Sequence, residues 1–376
     1  MFRNAARIWD ASLARLRMLK QSKLAVLRLA EASGISSFLS SSPWRRRRLL
    51  ILCYHGVSAY DEHEWGGLYI SKETFRRRME LIAQARCSVL PLSEGLERLN
   101  EGTLPDRAVV ITFDDGFHDF SSVAFPILSS FGYPVTLYLT TYYVDFNRPV
   151  FDPMCSYLLW KGRGRKELEW PDLFPAPVTL DAVGRKSAAF AIRQFAMSRQ
   201  LSGREKDKLL AALAARLNID YSELCGKRVM HLLTPAEATE LANRGVDLQY
   251  HTHRHRVYRS RERMFSELED NRRWITKFAA REPRHFCYTA GFYLPEYPGY
   301  LKDYGMLSAT TCRPGLCTHA NNPFLLPRLV DTTGLSELEF RAWLSGTADL
   351  LPRRDTPMGE GQLLEEQEPE LIVEQV

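Results

Sequence analysis

The chain has 376 residues, 45% of them hydrophobic and 25% charged, with 50 lysines and arginines against 45 acidic residues. That balance excludes a disordered or fibrous protein and supplies enough apolar mass for a large core. A net charge of +5, with no aromatic-interleaved basic stripe, gives no case for nucleic-acid binding, and no apolar run approaches the ~20 residues that a bilayer span needs.

In chain order, Ile8, Ala11, Leu16, Leu19, Val26 and Leu27 recur at helical spacing, and residues 1–50 carry eleven lysines and arginines against Asp10 and Glu31. Residues 1–32 therefore read as a basic amphipathic helix, suited either to packing on the domain or to a peripheral contact with an anionic membrane. Charges interrupt every apolar stretch there, so no secretory signal is read. With seven cysteines scattered without C-x-x-C spacing, the expectation is a cytoplasmic protein with free thiols. Residues 33–43 look like a Ser-rich linker, which closes an N-terminal segment at residue 48.

From 49 onward, β-branched runs alternate with helical patterns. Strands are expected at 49–54, 89–90, 108–114, 135–140, 246–250, 286–288, 306–311 and 326–330. Helices are expected between them, including one opened by Thr234-Pro235-Ala236-Glu237 as a capping box. This alternation indicates parallel β/α units in a domain spanning 49–335. Residues 145–232 break the pattern and read as a helical insertion, with helices near 185–200 and 203–217. Such an insertion suits the wall of a substrate site. Residues 336–376 are expected to hold one helix and an acidic disordered tail. Glu62, His63 and Glu64 read as a solvated loop.

Two stretches carry chemistry. Val109-Val110-Ile111-Thr112-Phe113 runs into Asp114-Asp115-Gly116, a buried strand ending in two carboxylates and a turn glycine. Adjacent carboxylates at a strand end repel and lose hydration, a cost that a bound cation removes. His251-Thr252-His253-Arg254-His255 supplies three of the chain's nine imidazoles within five residues. One carboxylate with two histidines makes three protein ligands and leaves a position open, the pattern of a catalytic metal site. His55, Asp114, Asp115, His251 and His255 all fall just past strand C-termini, where a β/α barrel presents its chemistry.

These motifs resemble those of the polysaccharide deacetylases, the NodB-homology carbohydrate deacetylases. Thr112 to Gly116 matches T-F-D-D-G, and His251 to His255 matches H-[S/T]-x-x-H. Tyr54-His55-Gly56-Val57 and Leu326-Pro327-Arg328 extend the likeness across roughly 49–335. The resemblance implies a distorted (β/α) barrel in the α/β class and removal of N-acetyl groups from an amino-sugar glycan. It also implies a divalent metal, with zinc expected, held by Asp115, His251 and His255, and Asp114 as general base. The late Leu-x-His of the family is missing. Leu52-Cys53-Tyr54-His55 instead resembles the poly-N-acetylglucosamine deacetylase branch, which makes His55 the candidate acid and His319 the runner-up. Tyr288-Thr289-Ala290-Gly291 stands where the family often has Y-P-Y-G. Ala290 is therefore a candidate oxyanion donor through its backbone, and Arg328 a candidate to orient Asp114 or bind substrate. His118 reads as a helix-start residue, and His253 has no assigned role. A related amide hydrolase acting on a formyl or small amide group, and an inactive carbohydrate-binding relative, are the alternatives. Oligomeric state is not legible.

Overall fold

The computed structural model describes residues 18–352. The expectations for 1–17 and for the acidic tail from 353 lie outside the described residues. Seven parallel strands form the central sheet: β1 (Leu50–Tyr54), β2 (Val109–Phe113), β3 (Thr136–Leu139), β4 (Asp247–Tyr250), β5 (His285–Cys287), β6 (Ser308–Thr310) and β7 (Leu329–Val330). Their order is β6-β5-β4-β3-β2-β1-β7. Helices cover the outer face, so every residue of β1, β2 and β3 is buried. That double coverage is why these strands read as unbroken apolar runs rather than as alternating ones.

The sheet curls into a distorted (β/α) barrel, and its seam is made by one segment. Leu326 pairs with Thr310 of β6, and three residues later Leu329 pairs with Leu52 of β1. The segment that leaves one edge therefore becomes the cover of the other, which shields both edges.

Several boundaries differ from the sequence reading. Residues 89–90 form only a bridge from Val89 to Val109, because β2 is an interior strand flanked by β1 on one side and β3 on the other. The Ser-rich stretch 33–43 is not a linker. It holds a helix, Ile35–Ser40, and Ser42 caps a further turn at Pro43–Arg46 through its side chain. Glu62 is buried rather than solvated, and its carboxylate accepts from the Tyr60 N–H at 2.9 Å. The Thr234 capping box is present.

The insertion leaves and returns through a narrow neck, where Pro149 bridges His231. It contains the helices Phe151–Lys161, Ala182–Ser198, Gly203–Leu217 and Tyr221–Gly226 and its own apolar core around Met154, Leu158, Ile192 and Leu213. The first of these helices was not legible as an amphipathic stripe, because eight of its residues are buried. The returning strand bonds back to the motif turn, Leu233 N–H to Gly116 O at 2.9 Å and His118 N–H to His231 O at 2.8 Å. The insertion also grips the loop after β1: Lys161 Nζ lies 2.7 Å from Asp61, and Trp65 Nε1 donates to Ser156 Oγ at 3.1 Å.

Candidate active site

At the end of β2 the backbone turns sharply. Asp115 sits at φ 70° and Gly116 at φ 90°. A Cβ on Gly116 would come within 2.2 Å of Leu139 Cδ1, so the position requires glycine on both conformational and steric grounds. The turn separates the two carboxylates that a straight strand would send to opposite faces.

Asp115 faces the histidine loop after β4. Its Oδ1 lies 3.2 Å from Nε2 of His251 and 3.2 Å from Nε2 of His255. All three side chains are buried, and their donor atoms lie within 4.8 Å of one another. Despite that proximity, Asp115 Oδ1 has no hydrogen-bond partner. Burial alone would push its carboxyl up, but the two imidazoles hold it well below the usual carboxylate range. His251 Nδ1 lies 3.0 Å from the Cys287 carbonyl and donates to it, which leaves Nε2 facing Asp115. Burial pushes His255 below its ordinary value and so favours a neutral ring. An orphaned carboxylate oxygen and two Nε2 atoms converging on one point fit a divalent cation with an open coordination position.

Asp114 lies on the other side of the turn and is 1% exposed. Arg328, fully buried, grips it with both arms of its guanidinium: Nη1 to Oδ1 and Nη2 to Oδ2, each 2.8 Å. Cys53 and Cys287 donate their thiols to the same Oδ2, at 3.4 and 3.3 Å. Burial raises the carboxyl, yet the Arg328 charge and hydrogen bonds outweigh it and bring the group well below the usual range. The remaining Arg328 donors go to Thr311 O and Thr112 Oγ1. With every donor already engaged, Arg328 is placed to orient Asp114 rather than to reach an external group.

His55 follows β1 with its Nε2 3.8 Å from Asp114 Oδ2, and it keeps 15% side-chain exposure. His319 is exposed, and it lies two residues after Cys317, whose backbone pairs with Leu49. That is the opposite end of β1 from His55. His118 lies 3.0 Å from Glu237, near the start of the following helix. Ala290 adopts φ 53° and ψ 17°, a left-handed turn entered directly from β5. Asp115, Thr252, His255 and Ala290 thus all hold left-handed backbone without being glycine. Each such residue costs about 1–2 kcal/mol, a concentration of strain that is found at functional sites.

Sequence reasoning missed three supporting groups. Asn271, fully buried on the helix Arg261–Phe278, accepts from the His251 N–H at 3.1 Å and donates to Leu139 O and Thr141 Oγ1. It ties the β3 and β4 loops together. Glu267 of the same helix accepts from the Arg254 N–H at 2.8 Å. Both sit on the buried stripe with Met264, Leu268 and Ile275, and a polar residue in an apolar stripe was the available signal. His253, unassigned from sequence, lies 2.9 Å from Thr141 Oγ1 and anchors the loop from behind.

A family model described as polysaccharide deacetylase matches residues 178–309. Among curated proteins, the poly-β-1,6-N-acetyl-D-glucosamine N-deacetylase of Escherichia coli (strain K12) is 28% identical over 101 residues, 26% of this chain and 15% of that protein. The chain therefore spans only a small part of that relative's length. Two solved structures share the fold. The Streptococcus pyogenes deacetylase PplD in complex with acetate gives a TM-score of 0.52 at 17% identity, covering 81% of this chain and 99% of that one. IcaB from Ammonifex degensii gives 0.51 at 17% identity, covering 79% and 97%.

Proposed function

Because the chain belongs to the polysaccharide deacetylase family, we propose that it is a metal-dependent hydrolase removing N-acetyl groups from an amino-sugar glycan or glycan precursor. The observation that carries this reading is the pairing of the converging Asp115–His251–His255 cluster with a second carboxylate, Asp114, clamped beside it. Asp115, His251 and His255 would hold a divalent ion, zinc being the first candidate for two imidazoles and a carboxylate. When bound, that ion supplies a Lewis acid that polarises an acetyl carbonyl and acidifies water, the condition under which so weak a base as Asp114 suffices.

The chain's own residues divide the remaining work. Asp114, kept ionised and aimed by Arg328, accepts the proton of the attacking water. His55 lies close enough to Asp114 to share that region and protonates the departing amine, which leaves poorly as an anion. The Ala290 N–H is the oxyanion donor assigned at this turn. Asn271 and His253 keep the histidine loop in register with the β3 loop and so hold the ligands in place.

The seven cysteines are all free, which supports a reducing, cytoplasmic location. The test of function is acetate release from N-acetylglucosamine oligomers, measured before and after chelation and again after zinc is restored. Loss on chelation with recovery on re-addition is expected. Metal-bound, folded protein that releases no acetate from any oligomer would overturn the reading.

A further inference from the structure

Exposed apolar side chains are unevenly distributed. Six of the fifteen large ones among the described residues fall between residues 18 and 38. The helix at 18–32 has two apolar faces. Leu27 and Ala30 are buried against the domain, which ties the helix down together with Lys23 on Glu339 at 3.0 Å and Lys20 on Gly334 O at 3.1 Å. Met18, Leu19, Val26 and Leu29 fall on a second face adjoining the buried one, at spacings of seven, eight and eleven that keep them in one stripe. The next helix, Ile35–Ser40, adds Ile35 and Phe38. Leu29 is 69% exposed and Phe38 79%. A helix already seated by one apolar face gains nothing for the fold by carrying a second, so the open face calls for an occupant.

Charge selects among the occupants. Residues 1–50 contain eleven lysines and arginines and only two acids. Of these, Lys23 pairs with Glu339 and Arg46 with Asp106, Arg45 is buried, and the acid Glu31 pairs with Arg341 at 2.7 Å. Arg28, on the same helix, and Arg47, just after the second one, are exposed. Apolar side chains flanked by cations with little residual negative charge match an anionic interface. A second copy of the chain would bring the same excess of positive charge against itself.

We infer that this two-helix patch docks on an anionic phospholipid bilayer. Met18, Leu19, Val26, Leu29, Ile35 and Phe38 enter the acyl boundary, and the neighbouring arginines meet lipid phosphates. The attachment is peripheral: no helix among the described residues is long and apolar enough to cross a membrane. The inference rests on the surface alone and is independent of the chemistry proposed for the barrel.

The test is sedimentation of the full chain with vesicles of phosphatidylglycerol and phosphatidylcholine, compared with phosphatidylcholine alone. Binding to the anionic vesicles is expected to exceed binding to the neutral ones by about tenfold or more and to weaken with salt. Leu29→Glu with Phe38→Glu should reduce it by about tenfold or more. Arg28→Glu with Arg47→Glu should also reduce it while leaving the apolar stripe intact. Val183→Glu with Phe190→Glu, on an equally exposed apolar stripe of the Ala182–Ser198 helix, should bind as the parent does. Circular dichroism and the thermal midpoint verify that each variant is folded. Equal binding to both vesicles overturns the inference, as does loss in the Val183/Phe190 variant. A stable dimer by light scattering that Leu29→Glu dissociates, without vesicle binding by the parent, would assign the patch to self-association instead.

Discussion

Asp114→Asn tests the site and the fold at once. The change removes one charge from a pair in which both partners are essentially buried and joined by two 2.8 Å hydrogen bonds. The Arg328 guanidinium is then left charged among Thr112, Cys287 and a neutral amide. Removing one partner of a buried pair costs about 3–5 kcal/mol, a large share of the 5–15 kcal/mol that typically holds a domain together. At roughly 2–4 °C per kcal/mol for a chain of this class, the thermal midpoint should fall by about 6–20 °C. Activity should fall by about 10²–10⁴, the usual worth of a positioned proton acceptor, while zinc content stays near the parent value because Asp115, His251 and His255 are intact. The assay combines urea unfolding, metal analysis and acetate release for the parent, Asp114→Asn, Arg328→Met and the double variant. The double variant, which removes both charges, should be less destabilised than the sum of the singles by several kcal/mol. Additive effects, with Asp114→Asn within about 1 kcal/mol of the parent, would refute the buried clamp. Loss of metal in Asp114→Asn would make Asp114 a ligand.

Further outcomes follow from other parts of the site. Asp115→Asn should lower metal affinity, with activity partly restored by excess metal; full metal retention would reverse the roles of the two aspartates. His55→Ala should keep both fold and metal and lose about 10²–10⁴ in turnover, whereas His319→Ala, at the far end of β1, should match the parent. An equal loss in both would remove His55 from the acid role. Stability should decline on acidification. Burial lowers His231 and His253 to about 4, so between about pH 6.5 and 4 the unfolded chain binds protons that the folded one refuses. Their contribution is complete above pH 6.5 and is lost as pH falls, each steepening the slope by up to about 1.4 kcal/mol per pH unit. Urea unfolding of His253→Gln at pH 7 and pH 5 should show a smaller loss than the parent; an unchanged slope would mean His253 is accessible to protons when folded.

The parts of this protein legible in its sequence are those written into contiguous residues. The Val109–Phe113 run, the Asp-Asp-Gly turn and the His251–His255 loop each carry their signal locally, so their positions at strand ends followed from pattern alone. What local pattern does not carry depends on separation, and Arg328 was a candidate partner of Asp114 only through the family resemblance. Arg328 meets Asp114 across 214 residues, and the thiols that complete its surroundings come from β1 and β5. No spacing rule links these. The Ser-rich stretch after residue 32 was misjudged because serine competes locally with the helical backbone, yet here tertiary contacts and a cap stabilise two short helices. Ala290 was named for its backbone, but its left-handed conformation could not be read from an alanine.

The seam of the barrel has a consequence for biosynthesis. Arg328 lies between the residue that closes onto β6 and the residues that pair with β1, so the clamp on Asp114 arrives with the closing segment itself. A ribosome making about 5–20 residues per second extends the chain for some ten seconds or more between Asp114 and Arg328. Throughout that interval β2 carries a carboxylate whose buried partner has not been synthesised and β1 presents an unpaired edge, joined near the interval's end by β6 once residues 308–310 are made. Nascent chains halted before residue 323 should therefore be protease-sensitive and recruit chaperones. Release of only a few further residues should convert them to a resistant form, which makes completion of the Asp114–Arg328 pair and completion of the fold one late event in the life of the molecule.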